Sequence, residues 1–195
     1  MIDTEAGIVP HLPEMIAYAT PWIRTTLLTN GMLWRGARLE RLAAVNHPNL
    51  SLDSSTLDLH DYPRGAGTWA KTVAGIRLLR ERAFRVRTGT TETLHTRRRL
   101  EELTAFLADL GIPPEDQIVR PLAMRGVSKH GASLSREDLV LELTVDLDGV
   151  YWHPIMGDDL RISDTAFPFR QAMERAERLW HEMGGCRSAQ IFRWG

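Results

Sequence analysis

Apolar and polar positions alternate along this chain with two different periods, and the switches between them mark its elements. Leu50-Ser51-Leu52-Asp53 alternates with the two-residue period of a strand and stops at Ser54-Ser55. The stretch beyond it, through Pro63, Gly65 and Gly67, reads as a loop, and Thr68 as the N-cap of a helix to Arg82 that turns Val73, Ile76 and Leu79 to one side. Upstream, Pro13 opens a short helix to Ala19, Pro21 ends it, and Ile23 to Leu28 reads as a strand closing at Thr29-Asn30-Gly31. Leu33 to Ala44 returns to the helical period, and Asn46-His47-Pro48 breaks the pattern before the Leu50 strand. Downstream, Phe84, Val86 and Thr88 alternate with Arg85 and Arg87 in a strand that runs to Thr91. Arg97 to Leu110 is a helix with an apolar stripe of Leu100, Leu103, Phe106, Leu107 and Leu110, capped by Gly111. Gln117 to Leu122 is the next strand, centred on Ile118-Val119.

The resulting order, helix and strand in strict alternation with units of about 25 to 35 residues, is met by parallel strands joined through right-handed crossover helices. The predicted fold class is therefore α/β. Closing an eight-stranded barrel takes about 250 residues, so roughly four such units make an open sheet or a partial (β/α) barrel, whose unpaired edge would need a cover. From Gly126 to Ser135 the chain becomes a Gly- and Ser-containing connector. Beyond it, Leu139 to Val145 and Val150 to His153 read as strands around an Asp148-Gly149 turn. Phe167 to Met183 then reads as a helix with Phe169, Met173, Ala176, Leu179 and Trp180 on one face. The domain boundary is placed there: residues 1–126 form the partial barrel and 127–195 a small hairpin-plus-helix region.

Composition narrows the function more than the fold. At 195 residues the chain can bury a real core, and its hydrophobic share of 43% and charged share of 25% are those of an ordinary globular protein. A net charge of −1 gives no global field for nucleic acid or an anionic membrane, and Arg97-Arg98-Arg99 reads as a solvated face. No basic leader precedes an apolar run, and no window approaches the roughly 18 apolar residues of a membrane span. The expectation is a cytoplasmic protein with no nucleic-acid or membrane partner. The single cysteine, Cys186, reads as an ordinary thiol, and the seven histidines show no metal-ligand spacing.

Candidate chemistry gathers where the strands are predicted to end. Ser51 and Asp53 close one strand, Thr29 and Asn30 another, and Arg64 lies on the segment beyond. At the C-terminal edge of a parallel sheet, a hydroxyl, a carboxylate and a guanidinium are suited to a polar ligand. The same residue types also make turn hydrogen bonds, and Arg64 has either a ligand carboxylate or a neighbouring acid as its partner. Both readings stand at this level. Adjacent loop residues seldom face each other, so His60-Asp61 is not read as a catalytic pair. Trp34, Trp69 and Trp152 read as packing residues, and His153 as no metal ligand.

Ser51-Leu52-Asp53, followed by His60-Asp61, Arg64-Gly65 and Gly67-Thr68, resembles the fourth-strand region of radical SAM enzymes, particularly the branch with SPASM or twitch extensions. Ser54 stands where glycine is usual. Thr29-Asn30-Gly31 is similar to that family's third-strand ending, Arg120-Pro121-Leu122 with Arg125-Gly126 to its sixth, and Asp148-Gly149-Val150-Tyr151 to a turn of its appended region. The resemblance implies a radical-SAM-like partial barrel with a SPASM- or twitch-like appendage. It implies that Thr29, Asn30, Ser51, Asp53 and Arg64 face S-adenosylmethionine, held weakly, and that the substrate is a peptide or small molecule. It also implies a [4Fe-4S] cluster on C-x3-C-x2-C, which cleaves S-adenosylmethionine to a radical. This sequence has no such motif, Trp152-His153-Pro154 lacks the cysteine expected after Tyr151, and Cys186 cannot supply the thiolates a cluster needs. No catalytic residue and no metal ligand is therefore assigned, and the chain by itself is expected to be inactive in cluster chemistry. A non-catalytic binding or scaffold module, and a fragment of a longer active enzyme, are the alternatives. The unpaired sheet edge is expected to be open, or covered by the N-terminal segment or by a protein partner.

Overall fold

The computed structural model describes residues 9–22, 24–33, 36, 39–40, 45, 47–124, 129–134, 139, 142–146, 148–155, 157–165 and 168–182. Most of the helix expected over Leu33 to Ala44 lies outside these residues, as do Trp34, Arg125, Gly126 and Cys186. The chain divides into two compact units, Met1–Pro121 and Leu122–Gly195.

The first unit begins with helix α1 (Leu12–Ala19), opened by a proline in its first turn. Strands β1 (Thr26–Thr29) and β2 (His47–Ser51) follow, then helices α2 (Leu57–Arg64) and α3 (Thr68–Glu81). Strand β3 (Arg87–Glu92), helix α4 (Leu100–Asp109) and strand β4 (Gln117–Pro121) complete it. The four strands are all parallel and lie in the order β1-β2-β3-β4. The expected α/β partial barrel is thus the observed architecture.

Register assigns each side chain to a face. Thr29 pairs with Leu50 and Leu50 with Thr88, so these three point the same way. Leu50 and Leu52 are fully buried in one cluster with Val73, Ile76 and Leu79 of α3 and Leu103 and Leu107 of α4, which makes this the helix-covered face. The other face alternates with it and is polar along β2, where Asn49 and Ser51 stand beside Arg87 and Gly89 of β3. Asp53 continues that series past the end of β2.

Sequence expectations change in α2, β2 and β1, and β3 starts at Arg87 rather than at Phe84. The loop expected from Ser54 to Gly67 contains the helix α2, with Pro63 inside it. Pro63 has no N–H for the carbonyl of Leu59 and its ring crowds that carbonyl, and the helix ends just beyond it, at Gly65. β2 starts at His47 and includes Pro48. The N–H of His47 reaches the carbonyl of Thr25 toward β1, so the N–H that Pro48 lacks would face β3, whose pairing begins only at Asn49. Finally, β1 is shorter than expected and starts at Thr26.

The second unit has a three-stranded antiparallel sheet of β5 (Thr144–Asp146), β6 (Gly149–Tyr151) and β7 (Arg161–Ser163), and then helix α5 (Phe169–Glu182). The sequence pattern anticipated the turn at Asp148-Gly149 but not β7. Trp152, Leu160 and Ile162 form its core with Ala176, and Trp180 stacks on Trp152. The buried residues of α5 are Ala172 and Ala176, whereas Phe169 is 42% exposed and Met173 36%. The expected apolar face holds at Ala176, Leu179 and Trp180, which pack on the core, while Phe169 and Met173 in its first half are exposed and Ala172 is buried instead. Among the described residues no helix is long and apolar enough to cross a membrane.

The turn after β1 presses on α3. A Cβ on Gly75 would come within 2.5 Å of the carbonyl oxygen of Gly31, and the hydroxyl of Thr72 donates to the carbonyl of Asn30 at 2.7 Å. Helix propensity alone makes Gly75→Ala stabilising by about 1 kcal/mol. The backbone contact reverses the sign, and a net loss of about 1–3 kcal/mol is expected in urea denaturation.

Candidate functional site

The end of β2 is held by its own side chains. Leu52 still donates its N–H to the carbonyl of Gly89 at 3.0 Å, after which Asp53 leaves the strand. The carboxylate of Asp53 is buried and turns toward β3, where Oδ1 accepts the N–H of Thr91 at 2.8 Å. Arg64, from the last turn of α2, donates Nε–H to Oδ2 at 2.5 Å and Nη2–H to Oδ1 at 3.3 Å. The N–H of Asp53 donates to Nδ1 of His60 at 3.2 Å, and His60 is completely buried. Burial holds the His60 imidazole below its usual pKa; Arg64 adds to this, and Asp53 and Asp61 oppose it.

Asp61 fixes the next junction. Its carboxylate accepts the N–H of Gly67 at 2.6 Å, the N–H of Trp69 at 2.7 Å and the hydroxyl of Thr68 at 3.0 Å. The two N–H groups are unpaired donors at the start of α3, so a residue of α2 caps α3, while the Thr68 hydroxyl also has the carbonyl of Gly65 within reach at 2.8 Å. Thr68, expected to be that cap, is instead the first residue of the helix, after Gly67 in a left-handed conformation. The hydrogen bond from Trp69, together with those from Gly67 and Thr68, depresses the Asp61 pKa. His60 and Asp61 are thus paired with different partners and do not form a dyad.

The candidate residues fall into three groups. Thr29 lies on the helix-covered face with Leu50, and its Oγ1 accepts the N–H of Gly31 at 3.1 Å. This corrects the expectation that Thr29 and Ser51 share one pocket: both close a strand at the same edge, but register points them to opposite faces. Asn30 follows β1 in step with Ser51, and its Oδ1 accepts the N–H of Met32 at 3.0 Å. Asp53 and Arg64 satisfy each other, the second of the readings left open for Arg64. Ser51 is half-buried on the polar face, and its hydroxyl makes no hydrogen bond to a described residue.

Two residues that the sequence reading passed over complete the cradle. Asn49, one layer below Ser51 on β2, is 6% exposed, yet its carboxamide also makes no hydrogen bond to a described residue. Gly89 lies next to both across the β2–β3 pair, and a Cβ there would stand 3.1 Å from the Asn49 Oδ1. Two signals pointed to them: Asn49, Ser51 and Asp53 share the two-residue period, and a glycine inside a strand marks a close approach. The cradle is thus two uncommitted polar side chains beside a missing one, walled at its upper end by the Asp53–Arg64 pair. A separate concavity of about 580 Å³ is lined by Arg80, Arg85, Gly111, Pro113, Glu115 and Asp116. It sits by the N-terminal ends of β3 and β4, away from the cradle.

The sequence profile of the radical SAM superfamily matches residues 6–113, more than half of the chain. The chain belongs to the radical SAM superfamily. An AdoMet-dependent heme synthase of Methanosarcina barkeri is 35% identical over 99 residues, which are 49% of this chain and 28% of that protein. Among solved structures, SuiB of Streptococcus suis is 20% identical over 55% of this chain and 26% of its own, with a TM-score of 0.48. SuiB bound to S-adenosylmethionine gives 21% identity over 52% and 24%, with a TM-score of 0.44. The chain spans about a quarter of the length of these relatives. The family's iron–sulfur cluster does not fit the residues of this chain: Cys186 is the one cysteine in the sequence, and the described residues contain no group of three or more His, Cys, Asp or Glu able to hold a metal ion.

Two substitutions probe the site without any ligand. Asp53→Ala leaves the Thr91 N–H and the Arg64 guanidinium without their acceptor, and a loss of about 2–3 kcal/mol is expected on chemical denaturation. Asp61 carries a depressed pKa, so its contribution is present above the ordinary carboxylate range and lost as pH falls through the folded value. Asp61→Asn should lower the melting temperature at pH 6 and flatten its decline between pH 4 and pH 2.5.

Proposed function

We propose that this chain provides the S-adenosylmethionine-holding part of a radical SAM fold, with Ser51, Asn49 and Gly89 as the cradle. The observation that carries this reading is the uncommitted polar pair on β2, a hydroxyl and a carboxamide that make no hydrogen bond to a described residue and stand beside the space left by Gly89. Ser51 offers its hydroxyl to the ribose, Gly89 leaves the space that the nucleoside needs, and Asp53 and Arg64 shape the wall. Thr29 and Asn30 support the cradle through the turn after β1. The family membership supports the same ligand, and the heme synthase relative is named for its dependence on it.

The role proposed for this polypeptide is binding. Cluster chemistry on the bound molecule would need thiolates from outside this sequence, and the substrate of such an assembly would be a peptide or a small molecule. SuiB has been solved with its precursor peptide SuiA, an instance of the first class within the superfamily. Further strands or a partner chain beside β1 or β4, the outer strands among the described residues, belong to the same proposal. The second unit, Leu122–Gly195, is read as a SPASM- or twitch-like appendage on the strength of its hairpin and helix.

Calorimetric titration with S-adenosylmethionine tests the reading. Binding is expected with Kd of about 0.1–1 mM, the range of a few hydrogen bonds without metal chelation. Ser51→Ala should weaken it about three- to tenfold, the worth of one hydrogen bond, and Gly89→Val should abolish it in a folded protein. Equal binding by both variants and the wild type would remove the cradle from the site. Anaerobic reconstitution of this chain with iron and sulfide should give neither cluster absorbance nor 5′-deoxyadenosine.

A further inference from the structure

We infer that His60 positions the cradle and is its acid-sensitive latch: as the neutral Nε2–H tautomer it fixes the end of β2 through Asp53, and protonation releases it. The inference rests on the reading of the cradle as the ligand site, and goes beyond it to how that site is kept in shape. The Asp53 N–H can only donate, so the Nδ1 that receives it at 3.2 Å carries no proton. The ring's single proton is therefore on Nε2, which is buried and has no hydrogen-bond partner. His60 is 0% exposed, so water cannot stabilise a charge on it.

A second proton would have to sit on Nδ1, directly against the Asp53 N–H. The new cation would have no free counter-charge. The groups that act on the ring are Asp53 just past the end of β2, and Arg64 and Asp61 on its own helix. The Asp53 carboxylate is already taken by Arg64 and Thr91, and that of Asp61 by the start of α3, while Arg64 repels. Burial is the largest cause holding the imidazole below its usual value. The folded protein thus resists a proton that the unfolded chain accepts near pH 6.5. Its contribution is complete above that pH and is lost as pH falls toward the lower folded value. The structural consequence follows the chain: Asp53 loses its anchor, its carboxylate no longer spans Thr91 and Arg64, and Ser51, two residues back, loses its fixed setting.

Histidine ¹⁵N NMR, melting curves and S-adenosylmethionine titration between pH 7.5 and pH 5, on the wild type and His60→Asn, test this. Asparagine can accept the Asp53 N–H through Oδ1 but does not titrate. At pH 7.5 His60 should show the Nε2–H tautomer. Below its folded titration point Kd should rise about tenfold per pH unit, the signature of one proton, with the Asp53 and Thr91 amides shifting together. His60→Asn should bind within a few-fold of the wild type at pH 7.5 and keep that affinity to pH 5. An Nδ1–H tautomer, or the same acid slope in His60→Asn, overturns the latch. If His60→Asn does not fold, the tautomer and the two wild-type amides decide. If S-adenosylmethionine fails to bind at any pH while the tautomer and the acid loss of melting temperature hold, the ligand reading falls and the hold of His60 on β2 stands.

Discussion

The buried carboxylate of Asp53 takes hydrogen bonds from the Thr91 N–H of β3 and from Arg64 of α2, while its own N–H is held by His60. Because these bonds come from a neighbouring strand and from the following helix, they set where β2 stops and how α2 leaves it. The next residue of the same helix, Asp61, caps α3. A single helix of eight residues therefore ties the end of β2 to the start of α3, with His60 facing back and Asp61 facing forward. The charges are internal to this arrangement, and the polar groups left over are Asn49 and Ser51, one layer or two back along the strand.

Much of the first unit was legible because its signals are periodic. Val73, Ile76 and Leu79, and Leu103 and Leu107, repeat at helical spacing and are buried together with Leu50 and Leu52. The failures have local physical causes. Pro63, Gly65 and Gly67 look like loop punctuation, yet they mark the end of a helix whose first six residues precede them. Pro48 looked like a break, but its missing N–H faces a position where β3 has not begun to pair. Thr29 was grouped with Ser51 because both end strands; which face each occupies depends on register, and nothing in either strand by itself reports that. In α5 the pattern is right at Ala176, Leu179 and Trp180, while in the first half of the helix the small Ala172, and neither Phe169 nor Met173, is buried.

The site was legible as a place more than as a set of contacts. A polar cluster at the strand ends is readable from the sequence, and the structure divides it between residues that bond one another and residues that make no hydrogen bond to a described residue. Asp53, Arg64, His60 and Asp61 bond one another or the backbone, whereas Asn49 and Ser51 remain uncommitted beside Gly89. A superfamily member with one cysteine in its sequence keeps the hydrogen-bonded framework at its strand ends without the thiolates that a cluster needs. The two features are physically separable, since the framework rests on hydrogen bonds and packing that no metal enters.

The most direct measurement of the central claim is an amide-resolved NMR titration of this chain with S-adenosylmethionine. If the cradle is the binding site, the largest shifts fall on Asn49, Ser51 and Gly89, on the polar face, with Thr29 and Gly75 behind the sheet little changed. Shifts centred on the helix-covered face or on the concavity around Arg80 and Arg85, with Ser51 and Gly89 unmoved at saturating ligand, would contradict it.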